Sequence, residues 1–262
     1  MGRISELFET CRKPAFIGFT VAGDPNLETS LRAARALIDG GTDILELGIP
    51  FSDPVADGPT IQKADERSLA SGSTVAGIFD MVRELRETTQ TPIVLLTYYN
   101  TVYHRGIERF YREARNAGVD GILIADMPFE ESDEVVQTAL RYAVDPIFLI
   151  TQTTSEERIK KIASRSQGYL YLVSVLGVTG TRERISAGAI DLLHRVRTHT
   201  DLPLALGFGI STPSHARTCS EAGADGVIVG SAIVEIVEKN LDNPDRMVAD
   251  LKEYVAAMKR AF

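Results

Sequence analysis

Eight short apolar runs, each followed by a segment of helical periodicity, predict an α/β protein of one domain, residues 1–262, whose eight parallel strands close into a (β/α)8 TIM barrel. Three observations carry this prediction. The runs lack polar alternation, as strands do when helices cover one face of a sheet and a packed interior the other. Eight strand–helix units suit a closed barrel of about 250 residues better than an open, doubly wound sheet. And the segment after the first strand, Val21-Ala22-Gly23-Asp24-Pro25, is not the GxGxxG turn that announces an open dinucleotide-binding sheet.

The elements follow in order. The opening MGRISELFETCRK is charged and amphipathic and predicts an extra helix ahead of the barrel, rather than an export signal, which needs an apolar core. The predicted strands are Ala15–Val21, Asp43–Leu47, Pro92–Thr97, Gly121–Ala125, Pro146–Ile150, Tyr169–Val173, Pro203–Leu206 and Gly226–Val229. Between and after them, helical periodicity marks Leu27–Ile38, Val75–Arg86, Ile107–Ala117, Glu131–Tyr142, Glu156–Ser164, Ala189–Arg197, Ser214–Ala222 and Pro244–Met258. A short extra helix, Ala232–Glu238, follows strand eight. Asn26, Ser73, Ser155 and Ser211 or Thr212 are the candidate N-caps; Gly40, Gly118 and Gly223 stand where helices end in a left-handed residue. Pro and Gly are spread evenly and no low-complexity stretch divides the chain, so no domain boundary is marked.

Composition narrows the function. A formal charge of −8 and the lack of a basic stripe argue against nucleic acid as a partner. No apolar run approaches membrane-spanning length, and the cytoplasm is the expected compartment. Cys11 and Cys219 are far apart and outside any CxxC spacing; His104, His194, His199 and His215 form no metal-ligand pattern and read as solvated or capping residues, so no metal is expected.

A barrel carries its chemistry at the C-terminal ends of its strands. Those ends read Asp24, Glu46 with Asp53 and Asp57, Tyr98 with Asn100, Asp126, Thr151 with Gln152, Thr179 and Phe208. Within LELGIPFSDPVADGP, strand parity sets Glu46 on the opposite face from Leu45 and Leu47. With the two leucines against the outer helices, Glu46 points into the barrel beside Ile44, where burial raises a carboxyl's pKa toward the range useful for proton transfer. Ser52 and Pro54 read as ordinary turn residues.

Two glycine-bearing turns, Gly207–Ser211 after strand seven and Gly230-Ser231-Ala232 after strand eight, stand where barrels hold phosphate on backbone N–H groups, so Gly209 and Ser231 are expected to contact an anion. Taken singly, either turn is explained by tight strand-to-helix geometry. The polar segment Leu176–Gly188 is either a lid over the site or a plain connection. Phe19, Tyr98, Phe129, Tyr171 and Phe208 could sandwich a flat aromatic ligand.

These residues together resemble the tryptophan synthase alpha chain family over essentially the full length. The resemblance rests on Leu45 to Gln62, on Phe19–Pro25, on Ala125-Asp126-Met127-Pro128, on Gly177-Val178-Thr179-Gly180 and on the two phosphate-type turns. It implies retro-aldol cleavage of indole-3-glycerol phosphate to indole and glyceraldehyde 3-phosphate. Glu46 would be the general acid/base and Asp57 the carboxylate that accepts the indole N–H. It implies pocket residues Phe19, Leu96, Tyr98, Ala125, Tyr171 and Phe208, a lid residue Thr179 that reaches toward Asp57, and a phosphate site of Gly180, Gly209, Gly230 and Ser231. Asp53 matches a carboxylate that communicates with a partner subunit. The family further implies no cofactor in this chain and a beta-chain partner carrying pyridoxal phosphate, in an alpha2beta2 tetramer. Asp53, Pro54 and Asn100–Arg105 form the candidate interface, where Val102 and Tyr103 are either contact residues or a cover for the barrel. A free-standing lyase that releases indole is the alternative. Ser174-Val175-Leu176 departs from the Ser-Arg-Ser that many members carry before the lid glycine, so a contact through that arginine is not expected here.

Overall fold

The computed structural model describes residues 2–11, 14–173, 187–207 and 209–262. Eight parallel strands form a closed barrel in sequence order: β1 Ala15–Val21, β2 Ile44–Gly48, β3 Ile93–Thr97, β4 Gly121–Ile124, β5 Asp145–Thr151, β6 Leu170–Val173, β7 Leu204–Gly207 and β8 Gly226–Val229. Closure is direct, with β1 paired to β8 from Ala15↔Gly226 to Gly18↔Val229.

Strand parity sorts side chains into two cores. Phe16, Leu45, Leu47, Ile93, Leu95, Ile122, Leu170, Leu172, Leu204, Leu206, Val227 and Val229 join the outer core beneath the helices. Ile17, Ile44, Val94, Leu123, Ile147, Tyr169, Tyr171, Ala205 and Ile228 fill the interior. The extra N-terminal helix, α1 (Arg3–Thr10), closes the bottom of that interior with Ile4, Leu7 and Phe8. Arg3 ties it to Asp120 at 2.9 Å, and Asp120 also holds the half-buried Arg86 at 2.5 Å.

The outer helices are α2 (Leu27–Asp39), α3 (Pro59–Ala70), α4 (Val75–Arg86), α5 (Tyr99–Arg105), α6 (Ile107–Ala117), α7 (Asp133–Arg141), α8 (Glu156–Arg165), α9 (Ala187–Arg197), α10 (Pro213–Glu221), α11 (Ser231–Lys239) and α12 (Pro244–Lys259). Asn26, Ser155 and Thr212 cap α2, α8 and α10 through their side chains. Ser73 is not the cap of α4. The next residue, Thr74, takes the extended conformation and accepts the Gly77 N–H. Gly118 and Gly223 have positive φ as expected, but Gly40 stays helical (φ −71°) and the left-handed residue is Gly41 (φ +106°). Gly40 is needed for another reason: a Cβ there would lie 2.9 Å from Val255 on α12. The predicted helix Glu131–Tyr142 is instead a 3-10 turn, Phe129–Glu131, followed by α7.

Two helices had no counterpart in the periodicity reading. Helix α3 buries Ile61, Ala64, Asp65 and Ser68, and α5 buries only Val102. Stripes of small and polar residues, or of one apolar residue, do not register as hydrophobic periodicity.

Candidate active site

Glu46 lies on the inner face of β2, opposite Phe19 on β1 and Val94 on β3. It is fully buried, and among the described residues neither carboxylate oxygen has a hydrogen-bond partner. Burial pushes its carboxyl up to about 8, with the negative charge of Asp57 adding to the effect. At neutral pH it therefore carries a proton inside an apolar barrel. Unpartnered buried polar atoms are costly, so such a group marks a place where stability has been given up for chemistry.

Asp57 stands on the loop from β2 to α3. Its Oδ2 accepts the Tyr98 hydroxyl at 2.6 Å, and Tyr98 in turn accepts the Ala56 N–H at 3.0 Å. Phe51 stacks on the Tyr98 ring at 4.9 Å between centroids. Burial raises the Asp57 carboxyl and the Tyr98 hydroxyl opposes it, so Asp57 is the readier of the two carboxyls to stay anionic. The environments thus act unequally on the pair, pressing Glu46 toward its protonated form more strongly than Asp57.

Aromatic and aliphatic groups line the mouth above Glu46. Phe19 is buried with Val21, Ile61, Ala64 and Val234, and Leu96 packs beside them. Tyr171 and, partly exposed, Ala125 complete the inner wall from β6 and from the end of β4. Two glycines make room for these rings. A Cβ on Gly48 would lie 2.8 Å from the Phe19 ring, and one on Gly207 would lie 2.6 Å from the Tyr171 ring.

At the ends of the adjacent strands β7 and β8, Gly209 has φ +75° and Ser231 opens α11 exposed to solvent. Among the described residues no side chain caps α11, whose N-cap is Gly230. Thr179, Gly180 and Phe208 lie outside the described residues, as does the expected lid except Ala187 and Gly188, which begin α9.

Several other rim residues are employed structurally. Asp24 is buried against Arg67 of α3, at 2.7 and 2.8 Å, and Asp126 accepts the Tyr99 N–H at the start of α5. Phe129 is buried beside Phe148 in the outer core, away from the interior. His215 is buried in the first turn of α10, where its Nδ1 faces the Ser211 N–H at 3.4 Å, a capping role rather than a solvated one. Asp53 is exposed and accepts the Ser52 hydroxyl at 2.6 Å. With Phe51, Pro54, Val55, Gln62 and Leu69 it lines a surface cavity of about 550 Å³ on the rim. Of the two apolar contact candidates, Tyr103 is 65% exposed but Val102 is fully buried in the outer core and faces no partner.

A closed eight-stranded barrel with a buried carboxyl and an anchored carboxylate at its C-terminal mouth defines a (β/α)8 barrel, a fold that carries its functional groups at that end. The model of the family described as tryptophan synthase alpha chain matches residues 7–262. A tryptophan synthase alpha chain of Methanoregula boonei is 68% identical over 261 residues, covering 100% of this chain and 98% of that one. Another from Methanothermobacter thermautotrophicus is 47% identical, over 98% and 95% of the two chains. Among solved structures, the tryptophan synthase alpha subunit of Legionella pneumophila superposes with a TM-score of 0.92 at 35% identity, over 100% of this chain and 98% of that one. A chain of the tryptophan synthase a2b2 complex of Pyrococcus furiosus gives 0.90 at 39% identity, over 95% and 98%. The chain belongs to the tryptophan synthase alpha chain family.

Proposed function

We propose that this chain is a lyase that cleaves indole-3-glycerol phosphate by retro-aldol chemistry to indole and glyceraldehyde 3-phosphate, as the alpha subunit of a tryptophan synthase. The observation that carries the reading is Glu46, buried, unpartnered and protonated where an indole ring entering the mouth would arrive. Family membership supports it.

The proton inventory closes with two carboxyls. Glu46 gives its proton to indole C3, and the ring nitrogen takes up the positive charge as an indolenine iminium. Asp57 accepts the ring N–H and stabilises that charge as it develops. Glu46, now a carboxylate, removes the proton of the side-chain hydroxyl. The bond from C3 to the side chain then breaks: its electron pair returns to the ring as indole, and the hydroxyl carbon leaves as the aldehyde. Glu46 ends protonated, ready for another turnover. Phe19, Leu96, Tyr98, Ala125, Tyr171 and Phe208 would enclose the indole, with Thr179 closing over Asp57. Gly180, Gly209, Gly230 and Ser231 would hold the phosphate.

These steps transfer two protons through Glu46 and break one carbon–carbon bond, with no change of net oxidation state. Pyridoxal phosphate belongs, on this reading, to a beta-chain partner in an alpha2beta2 assembly, docked on the rim at Asp53, Pro54, Val55 and Tyr103. Val55 and Tyr103 are the most exposed large apolar residues there, at 83% and 65%. The cytoplasm is the proposed compartment; among the described residues no helix is long and apolar enough to cross a membrane.

Indole formation from indole-3-glycerol phosphate, with and without a cognate beta chain, tests the proposal. Indole should form, and the beta chain should accelerate it. High unaided turnover that a beta chain leaves unchanged would favour a free-standing lyase, and no indole under either condition would overturn both. In the same assay Tyr98→Phe should lower kcat by about 10- to 100-fold, the loss expected for one hydrogen bond to a charged group, with a smaller change in KM.

A further inference from the structure

The ladder between β4 and β5 ends below the mouth. It runs from Gly121↔Asp145 to Leu123↔Ile147 and stops there. Above that level Ile124 pairs with Thr97 of β3, and β5 pairs with β6 from Phe148↔Leu170 to Thr151↔Val173. The Thr151 N–H turns to its own loop and donates to the Thr154 Oγ1 at 3.1 Å. A cavity of about 270 Å³ lies at this notch. Its lining comes from both faces of the sheet: Ala125 and Leu149 pack against the barrel interior, whereas Ile124, Phe129, Phe148 and Ile162 belong to the outer core. The cavity thus crosses the wall from the substrate-facing side to the space beneath α8.

We propose that this notch is a side pocket of the substrate mouth and receives an apolar group carried on carbon 5 of the indole ring. Its occupant rests on the proposed lyase reading, in which the turns after β7 and β8 hold the phosphate and Asp57 meets the ring nitrogen. In a barrel whose strands follow in order, β4 stands across from β8. The six-membered ring, at the far end of the substrate from its phosphate, is therefore turned to Ala125 at the end of β4. Carbon 7 lies beside the nitrogen, on the side of the bonded pair Asp57 and Tyr98. Carbon 5 lies on the other side, toward β5 and the gap. The lining selects an apolar group. The Thr151 hydroxyl is engaged with those of Thr153 and Thr154 at 3.0 and 3.2 Å, and Arg158 holds Glu130 at 2.9 Å, so the polar groups at the cavity satisfy one another. What is left to meet a ligand is aliphatic and aromatic surface. The space suffices, since an apolar cavity of about 150 Å³ accommodates benzene. Two residues then set specificity: Ala125, whose small side chain leaves the passage open, and Ile162 on α8, which forms the outer wall.

The test uses the full chain in its native sequence and as Ile162→Phe, which fills the cavity from α8, and Ile162→Ala, which enlarges it. The probes are indole-3-glycerol phosphate and its 5-methyl, 5-propyl and 7-methyl derivatives. For the native chain, kcat/KM of the 5-methyl compound should lie within about 3-fold of the unsubstituted one and that of the 7-methyl compound about 10-fold or more below it, the span one methyl group commands in a fitted site. Ile162→Phe should lower kcat/KM for the 5-methyl compound by about 10-fold or more and leave the unsubstituted substrate within about 3-fold. Ile162→Ala should favour the 5-propyl compound over the unsubstituted one by about 10-fold relative to the native chain, and it decides the matter if the phenylalanine variant does not fold. Binding gives a readout apart from turnover: the chain contains no tryptophan, so the fluorescence of an added indole is the ligand's own. 5-Methylindole should bind at least as tightly as indole, and Ile162→Phe should weaken it by about 10-fold while sparing indole. Equal treatment of the 5-methyl and 7-methyl compounds, or a 5-substituent preference unchanged by the substitutions at Ile162, would overturn the proposal. If the native chain forms no indole yet binds 5-methylindole with this dependence on Ile162, the lyase reading falls and the pocket stands. If it binds neither indole nor 5-methylindole, the pocket falls as well.

Discussion

Glu46→Gln is expected to lower kcat for indole formation by about 10²–10⁴-fold, or more because the residue serves in two proton transfers, while indole-3-glycerol phosphate continues to bind. The substitution keeps the volume and removes the proton donor. Its effect on stability runs the other way. The folded-state carboxyl titrates near 8 against an ordinary value of 4.5. A group raised in the folded state stabilises fully below its unfolded pKa, and that contribution is lost as pH rises through the folded one. The Gln variant, free of this loss, should show a thermal midpoint above the native one by a margin that opens between about 4.5 and 8 and then stays constant. A variant less active and more stable at alkaline pH is the signature of a buried catalytic acid. Activity of the native chain should likewise fall as pH rises through about 8, where Glu46 loses its proton.

Asp57→Asn is expected to be the second most damaging change, lowering kcat by about 10²–10³-fold, the range for removal of one group that stabilises developing charge. An amide oxygen can still accept the indole N–H, which separates this variant from Asp57→Ala: the loss in Asn reports the charge alone. The Tyr98 hydroxyl needs an acceptor at that position, and the Asn oxygen supplies one, so the fold at the mouth should hold. Steady-state kinetics of both variants, with kcat and KM separated, checks this. The native acid limb has its own sign: burial raises the Asp57 carboxyl above 3.8, so activity should fall as pH drops through that raised value and Asp57 loses its charge.

Much of this was legible in the chain because the barrel obeys short-range rules. All eight strands lie within a residue or two of where apolar runs put them, and parity alone turned Glu46 inward with Ile44 while Leu45 and Leu47 went to the outer core. What escaped depends on tertiary context. Helix α3 presents Ile61, Ala64, Asp65 and Ser68 to the barrel, and an Asp in such a stripe reads as a solvated face until its neighbours are known. The pairing of Arg67 with Asp24, 43 positions apart, and the stack of Phe51 on Tyr98 have no local signature. For Val102 the sequence left a contact surface and barrel packing even, and burial decides for packing, since it is the one residue α5 buries. Between Ser73 and Thr74, equally good caps by type, only the backbone conformation chooses.

The proposed chemistry requires one carboxyl inside the barrel to hold a proton at neutral pH. Titration of the Glu46 side-chain carboxyl by ¹³C NMR in glutamate-labelled protein, with Glu46→Gln identifying the signal, measures it directly. A midpoint near 8 is expected. A midpoint in the ordinary carboxylate range, near 4.5, would contradict it.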